Sequence, residues 1–238
     1  MNTFITTFLP NVSEIWDEVL QSTWETLYMT LVAGLIAGIL GVILGVILVV
    51  TEDGGILESR HLYNVLDKLV NIFRSLPFII LMALIVPFTR LVVGTSIGTT
   101  ASIVPLVVAT VPFYARQIQN ALVEVDAGVI EAAQSMGASP WEIIFRVYLK
   151  EGLPGIIRVS SVTIINLIGL TAMAGAIGGG GLGNLAITRG YNRFQNDVTL
   201  VATIIILIIV FISQAIGNAL VKKVSHEYKK NKNGGNQS

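Results

Sequence analysis

The chain has 238 residues, of which 53% are hydrophobic and 13% charged; Lys+Arg and Asp+Glu balance at 15 each, and the mean hydropathy is +0.74. A soluble domain carries roughly 25% charged residues, so this chain has too few polar groups to cover a soluble globule, and most of it belongs in lipid. Disorder and a nucleic-acid-binding domain are excluded, and the absence of cysteine excludes a disulfide scaffold and a Cys-ligated metal.

The N-terminal stretch Met1–Glu25 contains Glu14, Asp17, Glu18 and Glu25 and no Lys or Arg. It lacks the basic and apolar regions of a secretory signal. Phe8, Val12, Ile15 and Val19 recur at helical spacing. That fits a short amphipathic helix on a membrane face, and an unstructured leader fits as well. Four long stretches then carry no charge: Thr26–Thr51, Leu91–Ala115, Val159–Thr188 and Val198–Val221. A fifth, Ser75–Thr89, extends backward through Leu66, Leu69, Val70, Ile72 and Phe73, with Arg74 close enough to an interface to snorkel. Pro77 and Pro87 kink or bound it. The expectation is an all-α integral membrane protein with five transmembrane helices at about 26–50, 66–89, 99–121, 156–177 and 198–221. Gly34/Gly38 and Gly41/Gly45 in the first span are small-xxx-small pairs that let helix backbones approach.

Five spans put the termini on opposite sides. With the C-terminus inside, Arg60, Lys68, Arg74, Arg116, Arg146, Lys150, Arg158 and the tail lysines lie inside, and only Arg90, Arg189 and Arg193 lie outside. The excess of Lys and Arg on cytoplasmic segments therefore gives N-out, C-in. The tail after Val221 reads as a basic, solvated cytoplasmic end that meets anionic lipid.

Between the third and fourth spans lies a cytoplasmic stretch of about 122–155. Ala127–Met136 is helix-friendly and Gly137 ends that helix. Ser139 is an N-cap, with Pro140 at the first helical position and Glu142 at the third. The second helix runs over about Pro140–Leu149, with Trp141, Ile144, Phe145 and Tyr148 expected on one apolar face. Pro154 is expected to break the chain before the next span. An amphipathic linker resting on lipid is the plain alternative.

Other motifs carry less. Gly178-x-Gly180-x-x-Gly183 spells a dinucleotide fingerprint but follows a membrane span instead of a strand, so it is read as a flexible glycine loop or a simple turn near the outer mouth. No glycine is followed by lysine, so the chain has no Walker A sequence and energy has to come from a partner. The spans carry no buried carboxylate relay of the kind an ion-driven carrier uses. No nucleophile–base set is apparent, and His61 and His226 lie far apart in polar segments, His61 reading as a solvated loop residue.

Glu131-Ala132-Ala133, then Gly137, then Val147-Tyr148-Leu149-Lys150 resembles the cytoplasmic loop signature of ABC importer permeases. Val147 stands where Ile is usual and Lys150 where Pro is common, with Leu153-Pro154 following shortly. The resemblance extends over about residues 24–221: Trp24–Thr30, Asn71–Leu81, Pro87–Arg90 with Val93–Gly98, and Gly178–Asn184 look like the methionine-uptake branch. It implies the type I importer permease fold, with an extracytoplasmic segment (1–23), a transmembrane domain (24–221) and a basic tail (222–238). It implies a bacterial inner-membrane protein that pairs with a second copy of itself, two ATP-binding subunits and an extracytoplasmic substrate-binding protein. ATP and Mg would be bound by the ATPase; no cofactor is expected in this chain. It further implies that the loop, through Glu131, Ala132, Ala133, Gly137, Ala138, Trp141, Phe145, Leu149, Leu153 and Pro154, docks on the ATPase. The loop signature does not separate methionine from another amino acid, a quaternary-ammonium osmolyte or a small organic acid. An ion-coupled carrier and a membrane enzyme are the readings from other classes.

Overall fold

The computed structural model describes residues 9–234, with side chains through residue 225. Phe8 and the end of the basic tail lie outside the described residues. Every regular element among the described residues is a helix. In chain order these are α1 (Pro10–Glu14), α2 (Trp16–Thr51), α3 (Arg60–Ser75), α4 (Phe78–Leu84), α5 (Val86–Val93), α6 (Thr99–Val123), α7 (Ala127–Ser135), α8 (Pro140–Ile143), α9 (Leu149–Glu151), α10 (Leu153–Ala174), α11 (Gly181–Leu185) and α12 (Asn196–Gly234). Three π turns intervene, at Ile144–Tyr148, Gly175–Gly179 and Ala186–Tyr191.

Four helices are long and apolar enough to cross a membrane: Trp16–Thr51, Thr99–Val123, Leu153–Gly179 and Asn196–Ser225. They coincide with four of the five expected spans. The first starts at Trp16, well before the charge-free stretch, because Asp17 and Glu18 sit in its first turn, where the helix dipole favours negative charge. The last continues past Val221 into the basic tail. The remaining expected span, 66–89, is not one helix. Pro77 caps α4 and Pro87 lies in the first turn of α5, positions where a missing N–H costs nothing and a preceding helical turn cannot continue. His61 falls in the first turn of α3 instead of a loop, and it is exposed.

The chain forms two compact units. One comprises the stretch ending at Ala37, Ser75–Thr110 and Ile164–Ile212. Its core joins Met29 and Ala33 of α2, Phe78 of α4, Ile103 and Leu106 of α6, and Leu167 and Ala174 of α10. A second cluster joins Val12 and Val19 to Leu182, Leu185, Val198 and Ala202. Val12, Ile15 and Val19 of the N-terminal apolar stripe are thus packed against protein, Val12 in α1 and Val19 in α2, neither lying on a membrane face nor forming an unstructured leader. Polar links fix it there. Asp197 accepts the backbone N–H and the side-chain amide of Asn11, both at 2.9 Å, and Arg189 donates to Glu18 at 2.8 Å. The glycine segment is packed in part: Gly179, Gly181 and Gly183 are buried, and Gly181–Leu185 forms a short helix.

The other unit comprises Gly38–Arg74, Val111–Thr163 and the stretch beginning at Ser213. Here the C-terminal ends of α2 and α6 pack together, Val49 and Val50 against Ile118 and Leu122. Gly41 lies against Tyr114, whose hydroxyl hydrogen-bonds Ser160 at 2.6 Å. A Cβ on Gly45 would lie 2.6 Å from Ile118 Cβ and 2.7 Å from the Ala115 carbonyl oxygen. One on Gly38 would meet nothing within 4 Å. Of the two small-residue pairs, Gly41/Gly45 therefore forms the seam. Polar groups hold α3 to the same ends: Arg116 pairs with Asp67 and donates to Gln119 at 2.8 Å, and Gln119 donates to Glu52 at 2.9 Å.

The two glycines should separate in a thermal melt of the purified protein. Gly45→Ala has to push backbone apart and is expected to lower Tm by several degrees. Gly38→Ala relieves a helical glycine worth roughly 0.5–1 kcal/mol and is expected to hold or raise Tm.

Candidate functional site

The stretch between α6 and α10 folds as α7 followed by α8, which runs through a π turn into α9, and the ends of α7 and the start of α8 are written in the sequence. Asp126 caps α7 by accepting the Gly128 N–H at 2.8 Å. The helix closes with a Schellman motif: the Gly137 N–H reaches the Gln134 carbonyl at 2.9 Å and the Ala138 N–H reaches the Ala133 carbonyl at 3.1 Å. Gly137 has φ +80°, and a Cβ there would meet nothing within 4 Å. Backbone conformation alone, and not lack of room, therefore demands glycine at this turn. Ser139 then opens α8 with a reciprocal capping box. Its hydroxyl accepts the Glu142 N–H at 3.4 Å, and Glu142 Oε2 accepts the Ser139 N–H at 3.0 Å. The backbone N–H and hydroxyl of Ser139 hold the Glu142 carboxyl below the usual carboxylate range. Glu142 also lies 3.7 Å from Arg146, an exposed pair of little energetic weight.

After Ile143 the helix widens into the π turn, closed by the Leu149 N–H bonding the Ile144 carbonyl. The expected single apolar face is divided in two. Ile144 and Tyr148, each 5% exposed, turn inward with Ile143 and Val147 and pack on Val49, Val50, Tyr114, Ile118 and Leu122. Trp141 and Phe145, 68% and 63% exposed, turn outward and stack on each other with ring centroids 6.4 Å apart. Residues 141 and 145 are one α-helical turn apart and share a face; 144 and 148 share the next one. Ala133 is buried and Ala138 half-buried in the same cluster, whereas Glu131 and Ala132 are exposed. The helix is interrupted at Gly152 just before α10, with the Gly152 N–H bonding the Tyr148 carbonyl at 2.9 Å. Pro154 sits in the first turn of α10, where its missing N–H is not needed and a preceding helical turn cannot run on unbroken. Leu149 is half-buried on the cluster, Leu153 exposed and Pro154 half-buried.

The loop thus presents a groove of about 360 Å³ lined by Ala133, Met136, Gly137, Ala138, Ile143 and Val147, with Glu142 and Arg146 also on its wall. The Trp141–Phe145 pair stands beside it. Met136 and Arg146 were not expected in this role. An exposed methionine ahead of a left-handed glycine was the available signal. The groove and aromatic pair suit an apolar, shape-dependent contact with another protein and offer no nucleophile–base pair for catalysis. Among the polar and sulfur-bearing residues of α10, Thr171 is buried with its hydroxyl on the Ile168 carbonyl, Ser160 and Ser161 bond carbonyls of their own helix, and Met173 and Asn166 are exposed.

Residues 37–226 match the family described as the binding-protein-dependent transport system inner membrane component. The chain is 51% identical over 212 residues to the probable D-methionine transport system permease protein MetI of Pasteurella multocida, covering 89% of this chain and 98% of the relative. It is 53% identical over 215 residues to the methionine import system permease protein MetP of Bacillus subtilis, covering 90% and 95%. A solved chain from inward-facing conformations of the MetNI methionine ABC transporter superposes with a TM-score of 0.87 at 43% identity, covering 89% of this chain and 98% of that one. A chain of an amino acid ABC transporter crystallised with histidines, at 16% identity and a TM-score of 0.74, shares the fold.

The capping box gives a pH-dependent expectation. Because the Glu142 carboxyl is held low, its contribution is complete above the ordinary carboxylate range and is lost as pH falls through the lowered value. Ser139→Ala should melt below the parent protein at neutral pH, and the gap should narrow in melts run at acid pH.

Proposed function

This chain belongs to the family of binding-protein-dependent transport system inner membrane components, and from that premise we propose that it is the membrane-spanning permease subunit of an ATP-driven importer of methionine. The observation that carries the cargo is the near-full-length likeness, on both sides of each alignment, to permeases named for D-methionine or methionine transport. Either hand of methionine is compatible with those names. The chain supplies the path and the motion. ATP and Mg are bound by a partner ATPase, and a separate extracytoplasmic protein delivers the cargo.

The five-span, N-out/C-in reading draws on helix packing. The C-terminal ends of α2 and α6 meet in one cluster, Val49 and Val50 with Ile118 and Leu122. Two helices that both cross the membrane and end together both begin on the other side. The chain between them has to return across the bilayer, and residues 60–93, the broken α3–α5, are the segment available. Such a break is tolerated at membrane depth where protein or a water-lined cavity covers it. The excess of Lys and Arg then places the loop and the tail in the cytoplasm of a bacterial cell, with the stretch before α2 outside. Residues 24–221 form the transmembrane domain, followed by the basic tail.

Two copies of the chain form the translocation path along their common axis, and each engages one ATPase. The groove between α7 and α8, with Trp141 and Phe145 beside it, seats that subunit. Gly137 fixes the angle between the two helices, and Glu131, Ala132, Ala138, Leu149, Leu153 and Pro154 shape or flank the contact. Closure of the ATPases on ATP moves the loop. The loop in turn carries the ends of α2 and α6, because Ile143, Ile144, Val147 and Tyr148 are packed into them. The bundle then switches from inward-open to outward-open as a rigid-body motion.

The deciding experiment is uptake of labelled methionine in cells lacking the chain and in complemented cells, with unlabelled competitors from several amino-acid classes. Restored uptake blocked only by methionine-like compounds is the expected result; no change in methionine uptake overturns the cargo. Within that assay, Gly137→Val should abolish transport while inserting normally. A β-branched residue at φ +80° costs more than the 1–2 kcal/mol, roughly, of an ordinary left-handed residue. Phe145→Asp should lose the ATPase on co-purification while the permease itself remains folded; a full complement of ATPase on that variant would show the face to be wrongly assigned.

A further inference from the structure

The glycine segment near the start of α11 is held by two neighbouring side chains of α2. Glu25 Oε2 accepts the Gly181 N–H at 2.7 Å, and Thr26 Oγ1 accepts the Leu182 N–H at 2.8 Å. These N–H groups open α11 and have no acceptor within that helix. Thr26 donates its own proton to the Ser22 carbonyl at 3.0 Å, which leaves its oxygen as an acceptor toward Leu182. Glu25 takes the Gln21 amide on its other oxygen at 3.1 Å, and among the described residues no Lys or Arg pairs with it. Its charge is therefore directed onto the turn, and an ionised acceptor makes the stronger hydrogen bond.

The fit is close. Gly180 and Gly181 have φ +78° and +74°. A Cβ on Gly180 would lie 2.7 Å from Glu25 Oε2 and 2.8 Å from Thr99 Oγ1, and one on Gly181 would lie 2.7 Å from Thr26 Oγ1. On its other flank the same segment accepts the Gly98 N–H on the Gly178 carbonyl at 3.1 Å, just before α6 begins. The segment is thus tied both to α2 and to the start of α6, while Ala176, Ile177 and Gly178 are left exposed.

We propose that Glu25 and Thr26 are positioning residues that make the Gly178–Gly183 turn move with the first span, and that this hold sets how tightly cargo movement is tied to ATP hydrolysis. The inference rests on the importer reading and on the orientation that places this turn at the outer mouth. A turn that follows α2 shifts only when the bundle switches. A turn released from α2 shifts on its own, and ATP is then spent without cargo being retained.

The test uses the complete complex of permease, ATPase and binding protein in phospholipid vesicles. The variants are Thr26→Val, which keeps the volume and removes the acceptor, Glu25→Gln, which keeps an acceptor and removes the charge, and Thr26→Ser as the conservative control. Two quantities are read: amide hydrogen exchange over Gly181–Leu185 without cargo, and methionine accumulated per ATP hydrolysed. Thr26→Val is expected to speed exchange by about tenfold, the scale of one lost hydrogen bond, and to lower methionine per ATP several-fold while hydrolysis continues. Glu25→Gln should act in the same direction and less strongly, and Thr26→Ser should match the parent on both readouts. Exchange unchanged in Thr26→Val overturns the hold. Faster exchange with an unchanged ratio overturns its role in coupling and leaves a merely structural contact. Exchange is read without cargo, and the parent complex reports methionine uptake directly, so failure of the cargo assignment and failure of this proposal are separate results.

Discussion

The contact on which the rest of the molecule depends is the apolar seat of the α7–α8 loop on the ends of α2 and α6. Ile143, Ile144, Val147 and Tyr148 are buried there with Val49, Val50, Ile118 and Leu122. At about 25 cal/mol per Å² of buried apolar surface, four large side chains make a contact of several kcal/mol, far above what the exposed Glu142–Arg146 pair on the same loop supplies. Without this seat the loop would be a tether, and a push on its outward face would be absorbed locally. With it, the loop and the ends of α2 and α6 pack as one cluster, and displacement of the loop is passed to those ends.

Much of this was legible in the sequence where a single residue type has a single physical use. Ser139 with Glu142 three positions on reads as a helix start, and Gly137 as a helix end, because few other arrangements use those residues at that spacing; the structure makes them a capping box and a left-handed turn. The four charge-free stretches were legible because lipid tolerates little else. The face of α8 was not. Trp141, Ile143, Ile144, Phe145, Val147 and Tyr148 are apolar nearly all round, so periodicity alone does not say which pair points inward, and the π turn shifts the phase midway. The start of α2 was also missed. Charge marks where lipid ends and not where the helix ends, and Asp17 and Glu18 favour the first turn of a helix. The polar links between distant segments, Asn11 with Asp197 and Glu25 with Gly181, have no sequence signal, because each pairs residues more than 150 positions apart.

The segment between α2 and α6 shows a different division of labour. Its prolines were visible and so was their consequence, a path that cannot be one straight helix. What the sequence did not show is how α3 is kept in place. Arg116 does this from α6, through Asp67, and Gln119 extends the contact to Glu52. A guanidinium that reads in the sequence as one more inward-facing positive charge is, in the folded chain, mostly committed to protein. That leaves fewer free charges at this end than a count of lysines and arginines suggests.

The π turn at Ile144–Tyr148 carries one more residue than an α-helix would need for the same rise. An α-helix advances by about 100° per residue and a π turn by less, so the surplus residue is taken up within the turn that holds Phe145, and Trp141 before it and the α9–α10 junction after it keep nearly the relation of an uninterrupted helix. Deleting one residue there would close the turn toward a regular α-helix with little net rotation of Trp141 against the α9–α10 junction, whereas a residue added to or removed from a flanking α-helical turn would rotate one against the other by more than a quarter turn, at about 100° per residue. The turn thus carries an additional side chain on this loop without re-aiming the helical stretches on either side of it.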